Sequence, residues 1–372
     1  MKRKVLFLIE SLAGGGAEKV LTTLMQHIDK ERFDVMVCAI SGGGKYEEEI
    51  KRYVKYKAVL QEPFDGGFVA RWVYVLKHHL VYKWLPLSWV YRLFLPQGND
   101  VEVAFVEGFA TKLLGCSLNK KAKKYAWVHI DLKQNPWTQQ SGVYETMLAE
   151  RATYFVYDSV VCVSHSVENI MRNYYKLQNT CTIYNIVDSV KIYKLSREIC
   201  PLEINNRFYN IVSVGRLVPQ KGYDMLLPII KALKDAGNKI HLWIVGEGNE
   251  EKYLRKQADR LGIENDVSFV GFLNNPYPLM SKMDLFVCSS RSEGFSLVTA
   301  EAIILRIPVI SMNCSGPNEL LRENSLCLCN SYNELYKKIK MALVNKKDFM
   351  TTNTSLCIEQ IISQIHNLLS DK

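Results

Sequence analysis

Apolar and polar positions along the 372-residue chain keep two rhythms in alternation. Short, nearly all-apolar runs, the mark of parallel strands covered on both faces, alternate with stretches of helical period. In the first half the runs are Val5–Ile9, Phe33–Ser41, Val101–Val106, Tyr125–Ile130 and Val160–Val163, with helical patterns such as Glu18–Ile28 and Ser141–Arg151 among them. The rhythm then restarts with runs Asn210–Val214, Ile240–Val245, Val267–Val270 and Asp284–Ser289. The second-half helical patterns are Tyr223–Ala236, Glu250–Leu261, Pro276–Lys282 and Phe295–Leu305. This alternation predicts an α/β protein of two doubly wound, Rossmann-like domains, over 1–190 and 207–350. Tyr184–Asn206 has no clear period, contains Pro201 and is expected to be the linker. Helical spacing from Asn353 to Leu369 predicts that the last segment, 353–372, returns to the first domain. Two such halves would set the ligand site in the cleft between the carboxyl ends of their strands.

Composition narrows the class. Apolar content of 48% with 23% charged residues belongs to a globular protein, and the length favours two domains over one core. The opening apolar run lasts only from Val5 to Ile9 before Glu10, which suits a buried strand and not a secretion signal. No stretch reaches the roughly 20 apolar residues that a membrane span needs. The ten cysteines form no Cys-x-x-Cys, and only Cys327 and Cys329 lie close, so a reducing cytoplasmic setting is expected. The net charge of +9 is uneven: Lys51–Lys124 holds 13 Lys and Arg against 5 Asp and Glu, together with Trp72, Trp84 and Trp89. Basic and aromatic residues together suit an anionic membrane surface; nothing resembles a nucleic-acid-binding module. Pro86 breaks any single long amphipathic helix there, and the commoner fate of such aromatics is the core.

The segment Glu293-Gly-Phe-Ser-Leu-Val-Thr-Ala-Glu301 offers the richest chemistry. It follows a strand and opens a helix, so it presents a carboxylate, then helix-start amides that attract phosphate, then a second carboxylate. A sugar nucleotide, a diphosphate with polyols on both sides, fits that order; an ordinary turn with two solvated acids shares the spacing. Gly215-Arg-Leu-Val-Pro-Gln-Lys-Gly222 lies between a strand and a helix, where Arg216 can fork onto a pyrophosphate and Lys221 can add a point charge. Gly246-Glu-Gly248 is explained by a tight turn alone. Gly14-Gly15-Gly16 permits close backbone approach to a ligand. It fails the dinucleotide fingerprint, because Lys19 stands where the third glycine would fall. His129, with Asp131 beside it, ends a buried strand, where a packed histidine is the plainer alternative to a catalytic one. His78 and His79 are expected on the surface, and no metal-ligand cluster is apparent, Asp100 and Glu102 included. Asn313-Cys-Ser315 and Asn353-Thr-Ser355 match the glycosylation pattern by chance.

Taken in order, Gly14–Lys19, the Gly215-Arg216 to Lys221-Gly222 loop, Gly246–Gly248 and the Glu293 to Glu301 block resemble glycosyltransferase family 4 over nearly the whole chain. The resemblance implies the GT-B fold, two Rossmann-like domains facing across a cleft, and a retaining transferase that uses a nucleotide sugar. It also implies roles. Glu293 would meet the donor sugar's hydroxyls and Glu301 the ribose. Arg216 and Lys221 would neutralise the departing diphosphate. Amides of Phe295, Ser296, Leu297, Val298 and Thr299, with Gly246, would hold donor sugar and phosphate. Gly15 and Gly16 would approach the donor from the first domain, and His129 would sit by the reacting sugar. Two stretches depart from the family pattern: Glu323–Cys329, and Ile186 where a glycine commonly follows Asn185.

The expectation is therefore a glycosyltransferase moving a hexose or N-acetylhexosamine from a UDP-linked donor. Its acceptor would be a lipid-linked saccharide of surface polysaccharide assembly, and the protein would sit peripherally on the inner face of the cell membrane. No cofactor or metal is expected. A soluble acceptor, a noncatalytic partner of the same fold and a nicotinamide-linked oxidoreductase are the alternatives.

Overall fold

The computed structural model describes residues 1–61, 68–352 and 357–371. The chain divides into two compact units, Met1–Ile186 together with the segment from Cys357 onward, and Val187–Leu356. Among the described residues no helix is long and apolar enough to cross a membrane.

The first unit is built on a seven-stranded sheet: β1 (Arg3–Ile9), β2 (Phe33–Ser41), β3 (Lys55–Leu60), β4 (Val101–Ala104), β5 (Lys123–Val128), β6 (Ser159–Cys162) and β7 (Thr180–Thr182). All neighbours run parallel, in the order β3-β2-β1-β4-β5-β6-β7. Val5 pairs with Val35 on one side and Val101 on the other, so the buried run Val5–Ile9 lies at the centre. The winding direction reverses between β1 and β4, which makes their carboxyl ends the switch point where α/β sheets bind ligands. The last helix, Ile358–Ser370, buries Ile361, Ile365 and Leu369, spaced by four, against this unit. Its Leu368 carbonyl accepts from the Tyr125 hydroxyl at 3.0 Å, and Ser370 accepts from Arg32 at 2.7 Å.

The second unit repeats the plan with β8 (Tyr209–Val214), β9 (Ile240–Val245), β10 (Val267–Gly271), β11 (Leu285–Cys288), β12 (Val309–Met312) and β13 (Leu328–Cys329). The order β10-β9-β8-β11-β12-β13 puts its switch point between β8 and β11. Each unit is thus Rossmann-like.

Several expectations are corrected. The helix read over Ser141–Arg151 runs instead from Met147 to Tyr154. Gly142 takes a φ of +76°, and Thr146 adopts an extended conformation from which its hydroxyl caps the Ala149 amide, so the helix can begin only after it. The stretch read as a linker contains a helix, Ser189–Ser196, capped by Asp188 on the Lys191 amide, and it groups with the second unit from Val187. The divergent Glu323–Cys329 stretch forms a 3₁₀ turn and edge strand β13, paired with β12 through Ser311 and Leu328. The start of the C-terminal helical pattern, with the Asn353-Thr-Ser355 match, lies outside the described residues, as does part of the basic stretch.

Candidate active site

The second unit gathers most of the candidate residues at its switch point. Arg216 and Lys221 follow β8, and Glu293 follows β11, the neighbouring strand. Lys221 Nζ donates to Glu293 Oε1 at 2.6 Å, and Ser290 Oγ donates to the same oxygen at 2.7 Å. Glu293 is 8% exposed. Burial alone would lower the Lys221 pKa, but the charge and hydrogen bond of Glu293, together with Cys288, hold the ammonium above its usual range, while Arg216 pulls the other way. Arg216 opens the same loop, and its side chain is exposed.

Beyond Glu293 the chain turns sharply into helix Leu297–Ile304. Ser296 makes this turn at φ +65°, a left-handed conformation that costs a non-glycine residue roughly 1 kcal/mol. Its Oγ lies 2.8 Å from Thr299 Oγ1, and its carbonyl accepts from the amides of Thr299 and Ala300. The expected cradle of amides is therefore shortened: the Thr299 amide turns inward, while Leu297 and Val298 begin the helix on its part-exposed side. Phe295 is buried, and Glu301 is 2% exposed on the helix interior. Gly316 sits behind the turn, where a side chain would come within 2.4 Å of the Phe295 carbonyl carbon. Gly246 has a similar constraint. A Cβ there would meet the Gly215 carbonyl oxygen at 2.0 Å, so this glycine lets the two strand-end loops close upon each other.

In the first unit, Gly15 caps helix Gly16–His27, the next element after β1, and Gly16 is exposed there. His129 immediately follows β5. Its Nε2 lies 2.8 Å from the Phe105 carbonyl, which can only accept, so Nε2 carries the proton and Nδ1 is left as an acceptor. The ring keeps a part-exposed edge but is densely enclosed elsewhere, and this burial pushes its pKa down to about 4 against the bond to Phe105. Asp131 Oδ1 caps the amides of Lys133 and Gln134. The acid at His129 is Glu107, which accepts from the His129 amide at 3.0 Å and whose own carboxyl is raised by burial. Glu107 went unread in the sequence, although an acid between an apolar strand and Gly108 was the available signal.

The His129 shift has a measurable consequence. The folded imidazole binds its proton only below about pH 4, whereas an unfolded histidine binds one near 6.5. Its contribution to stability is therefore full above the unfolded value and declines as pH falls toward 4. His129→Asn should flatten the pH dependence of unfolding in that window by up to about 1.4 kcal/mol per pH unit. Equal slopes for variant and parent, from denaturant titrations, would mean that the ring is accessible to protons.

Comparison with known proteins supports both halves. The model for Glycosyltransferase Family 4 matches residues 14–191, and that for Glycosyl transferases group 1 matches residues 198–353. An uncharacterised glycosyltransferase of Haemophilus influenzae is 24% identical over 360 residues, covering 94% of this chain and 93% of that one. A Campylobacter jejuni N-acetylgalactosaminyltransferase, named for a diphospho-undecaprenol-linked acceptor, is 29% identical over 187 residues, about half of each chain. Among solved structures, HepE of Anabaena, crystallised with UDP and glucose, superposes over 100% of both chains with a TM-score of 0.76 at 20% identity, which speaks for the fold. With the two models spanning nearly its whole length and the GT-B architecture matched, the chain is a glycosyltransferase of the family 4 type.

Proposed function

We propose that the protein transfers a hexose or N-acetylhexosamine from a UDP-linked donor, with retention, to a lipid-linked saccharide used in surface polysaccharide assembly. The observation that carries this reading is the Lys221–Glu293 pair at the switch point of the second unit. In transfer, the bond from the sugar's anomeric carbon to the diphosphate oxygen breaks and the diphosphate keeps the electron pair. The acceptor hydroxyl forms the new bond and gives up its proton to the departing phosphate. Negative charge grows on the diphosphate, where Lys221 and Arg216 can meet it without rearrangement. Both bonds to Glu293 end on Oε1, which leaves Oε2 for a donor hydroxyl. Glu301 would hold the ribose, and the part-exposed start of the Leu297 helix would face phosphate. In the first unit, the neutral His129 can accept from a sugar hydroxyl through Nδ1, and Gly15 and Gly16 would bring backbone to a ligand from the loop that follows β1. These residues supply the charge compensation themselves, and we propose that no metal takes part. The Campylobacter relative's named acceptor supports a lipid-linked substrate. A screen of nucleotide sugars for protein-dependent release of nucleoside diphosphate tests the reading, and release from none of them would refute it.

We further propose that the first unit docks on anionic membrane. Trp72, Trp84 and Trp89 are 59%, 59% and 60% exposed, so these three tryptophans of the basic stretch are surface residues and not core. Helix Phe68–His79 exposes Val69, Trp72 and Val73 at helical spacing, and helix Leu87–Phe94 exposes Trp89 and Leu93. Arg71, Lys83 and Arg92 are exposed among them. Pro86 does break the segment, yet each piece keeps its own apolar face. Indole rings suit the headgroup level, and each nearby cation adds about 1 kcal/mol of attraction to an anionic leaflet. Flotation with phosphatidylglycerol vesicles should recover the protein at low salt, less at high salt, and poorly after Trp72→Ser and Trp89→Ser together. Equal recovery on neutral and anionic vesicles would assign the basic stretch another role.

A further inference from the structure

We infer that Asp224 and Arg291, neither of which reaches the Lys221–Glu293 pair, form a positioning clamp that holds those two groups in register for transfer. The inference rests on the donor-site reading above. Lys221 and Glu293 come from separate loops, one after β8 and one after β11, so their 2.6 Å contact requires the loops to be held together.

The holding is unusually complete. The Arg291 amide donates to the Gln220 carbonyl at 2.8 Å, and the Gln220 side-chain amide donates back to the Ser292 carbonyl at 2.7 Å. Ser289 Oγ donates to the Lys221 carbonyl at 2.8 Å. Gly222, at φ +67°, brings its backbone so near that a Cβ would stand 2.2 Å from the Ser289 carbonyl oxygen. Across the outside of this seam lies the fork of Arg291. Its Nη1 and Nη2 reach Asp224 Oδ1 and Oδ2 at 2.8 and 2.7 Å, and Nη1 also donates to the Pro219 carbonyl. The arginine thus ties one loop both to the turn that carries Lys221 and to the helix that follows it.

Asp224 is itself fixed. It stands in the first turn of helix Tyr223–Asp235, where a carboxylate is favoured by the helix start. Pro228, four residues on, has no amide to give the Asp224 carbonyl, and Gln257 Nε2 donates to that carbonyl instead at 2.8 Å. The arginine's hydrogen bonds hold the Asp224 carboxyl below its usual range, and the aspartate's raise Arg291 in turn. Both side chains keep substantial exposure, 29% for Asp224 and 41% for Arg291. An exposed pair adds little to global stability. Its bidentate geometry, however, fixes direction as well as distance, and a displacement of about 1 Å at a reacting group can cost ~100-fold in rate.

The test compares kcat and donor KM for Asp224→Asn, Arg291→Ala, their double variant and Arg291→Lys, with Lys221→Ala alongside. Each single break should lower kcat about tenfold or more, leave the thermal midpoint almost unmoved, and leave donor KM within about threefold. The double variant should be no slower than the slower single one, because both remove the same clamp. Arg291→Lys, which keeps the charge but loses the fork, should recover only part of the rate. Normal turnover in Asp224→Asn, or losses that multiply in the double variant, would overturn the clamp. A slow Arg291→Ala beside a normal Asp224→Asn would mean that Arg291 meets the donor directly. Should Arg291→Ala fail to fold, the near-isosteric Asp224→Asn decides alone. Normal turnover in Lys221→Ala would instead remove the donor-site reading on which the clamp depends.

Discussion

Lys221→Ala should slow turnover by roughly 100-fold or more, the usual loss when one preorganised charge contact to a developing anion is removed. Lys221 is well placed for that role. Its ammonium is largely enclosed, with a side chain 16% exposed, so its charge is weakly screened. It is also kept protonated by Glu293 despite burial, and so stays positive through the whole physiological range. Steady-state rates with a saturating donor check the expectation. Arg216→Ala should follow in the same direction with a smaller loss, because that side chain is exposed and solvent shares its charge. Near-normal turnover in both variants would remove the loop from the site.

The second large effect separates the two glutamates. Glu293→Gln should lower kcat on the order of 100-fold with little change in donor KM, because the reacting sugar changes charge while it is held. Glutamine keeps the shape and can still accept from Ser290, so the loss reports on charge and not on folding. Glu293→Ala is the harsher change, since it also leaves the enclosed Lys221 ammonium without its partner. Glu301→Ala should do the reverse and raise donor KM about tenfold or more with kcat nearly kept, as expected when a charged hydrogen bond to an unreacting ribose is lost. Reversed signatures would exchange the two roles.

Much of this was legible in the sequence because it depends on local pattern. The long apolar runs that became β1, β8, β9 and β11 lie at sheet centres, where burial on both faces removes polar positions. Two of the edge strands, β3 and β13, escaped notice for the opposite reason. Lys55–Leu60 alternates charged and apolar residues, and Leu328–Cys329 is only two residues long. The helix Ser189–Ser196 was hidden by its mixed composition, and Asp188 as its cap was the one local sign. In the site, Arg216, Lys221 and Glu293 could be read from loops that follow strands. Asp224 and Arg291 could not, because their significance lies in a contact 67 residues apart in sequence. Glu107 was missed for a similar reason: adjacency drew attention to Asp131, while the fold turns β4's end toward His129 from 22 residues away in sequence.

The central claim is that the second unit binds a nucleoside diphosphate with its own cations. The most direct measurement is a calorimetric titration of UDP into the wild-type protein and into Lys221→Ala, both in excess EDTA. The account predicts saturable one-to-one binding to the wild-type protein, weakened about tenfold or more by loss of the charged contact. Binding that appears only after Mg²⁺ or Mn²⁺ is added, or that is equally tight in both proteins, would contradict it.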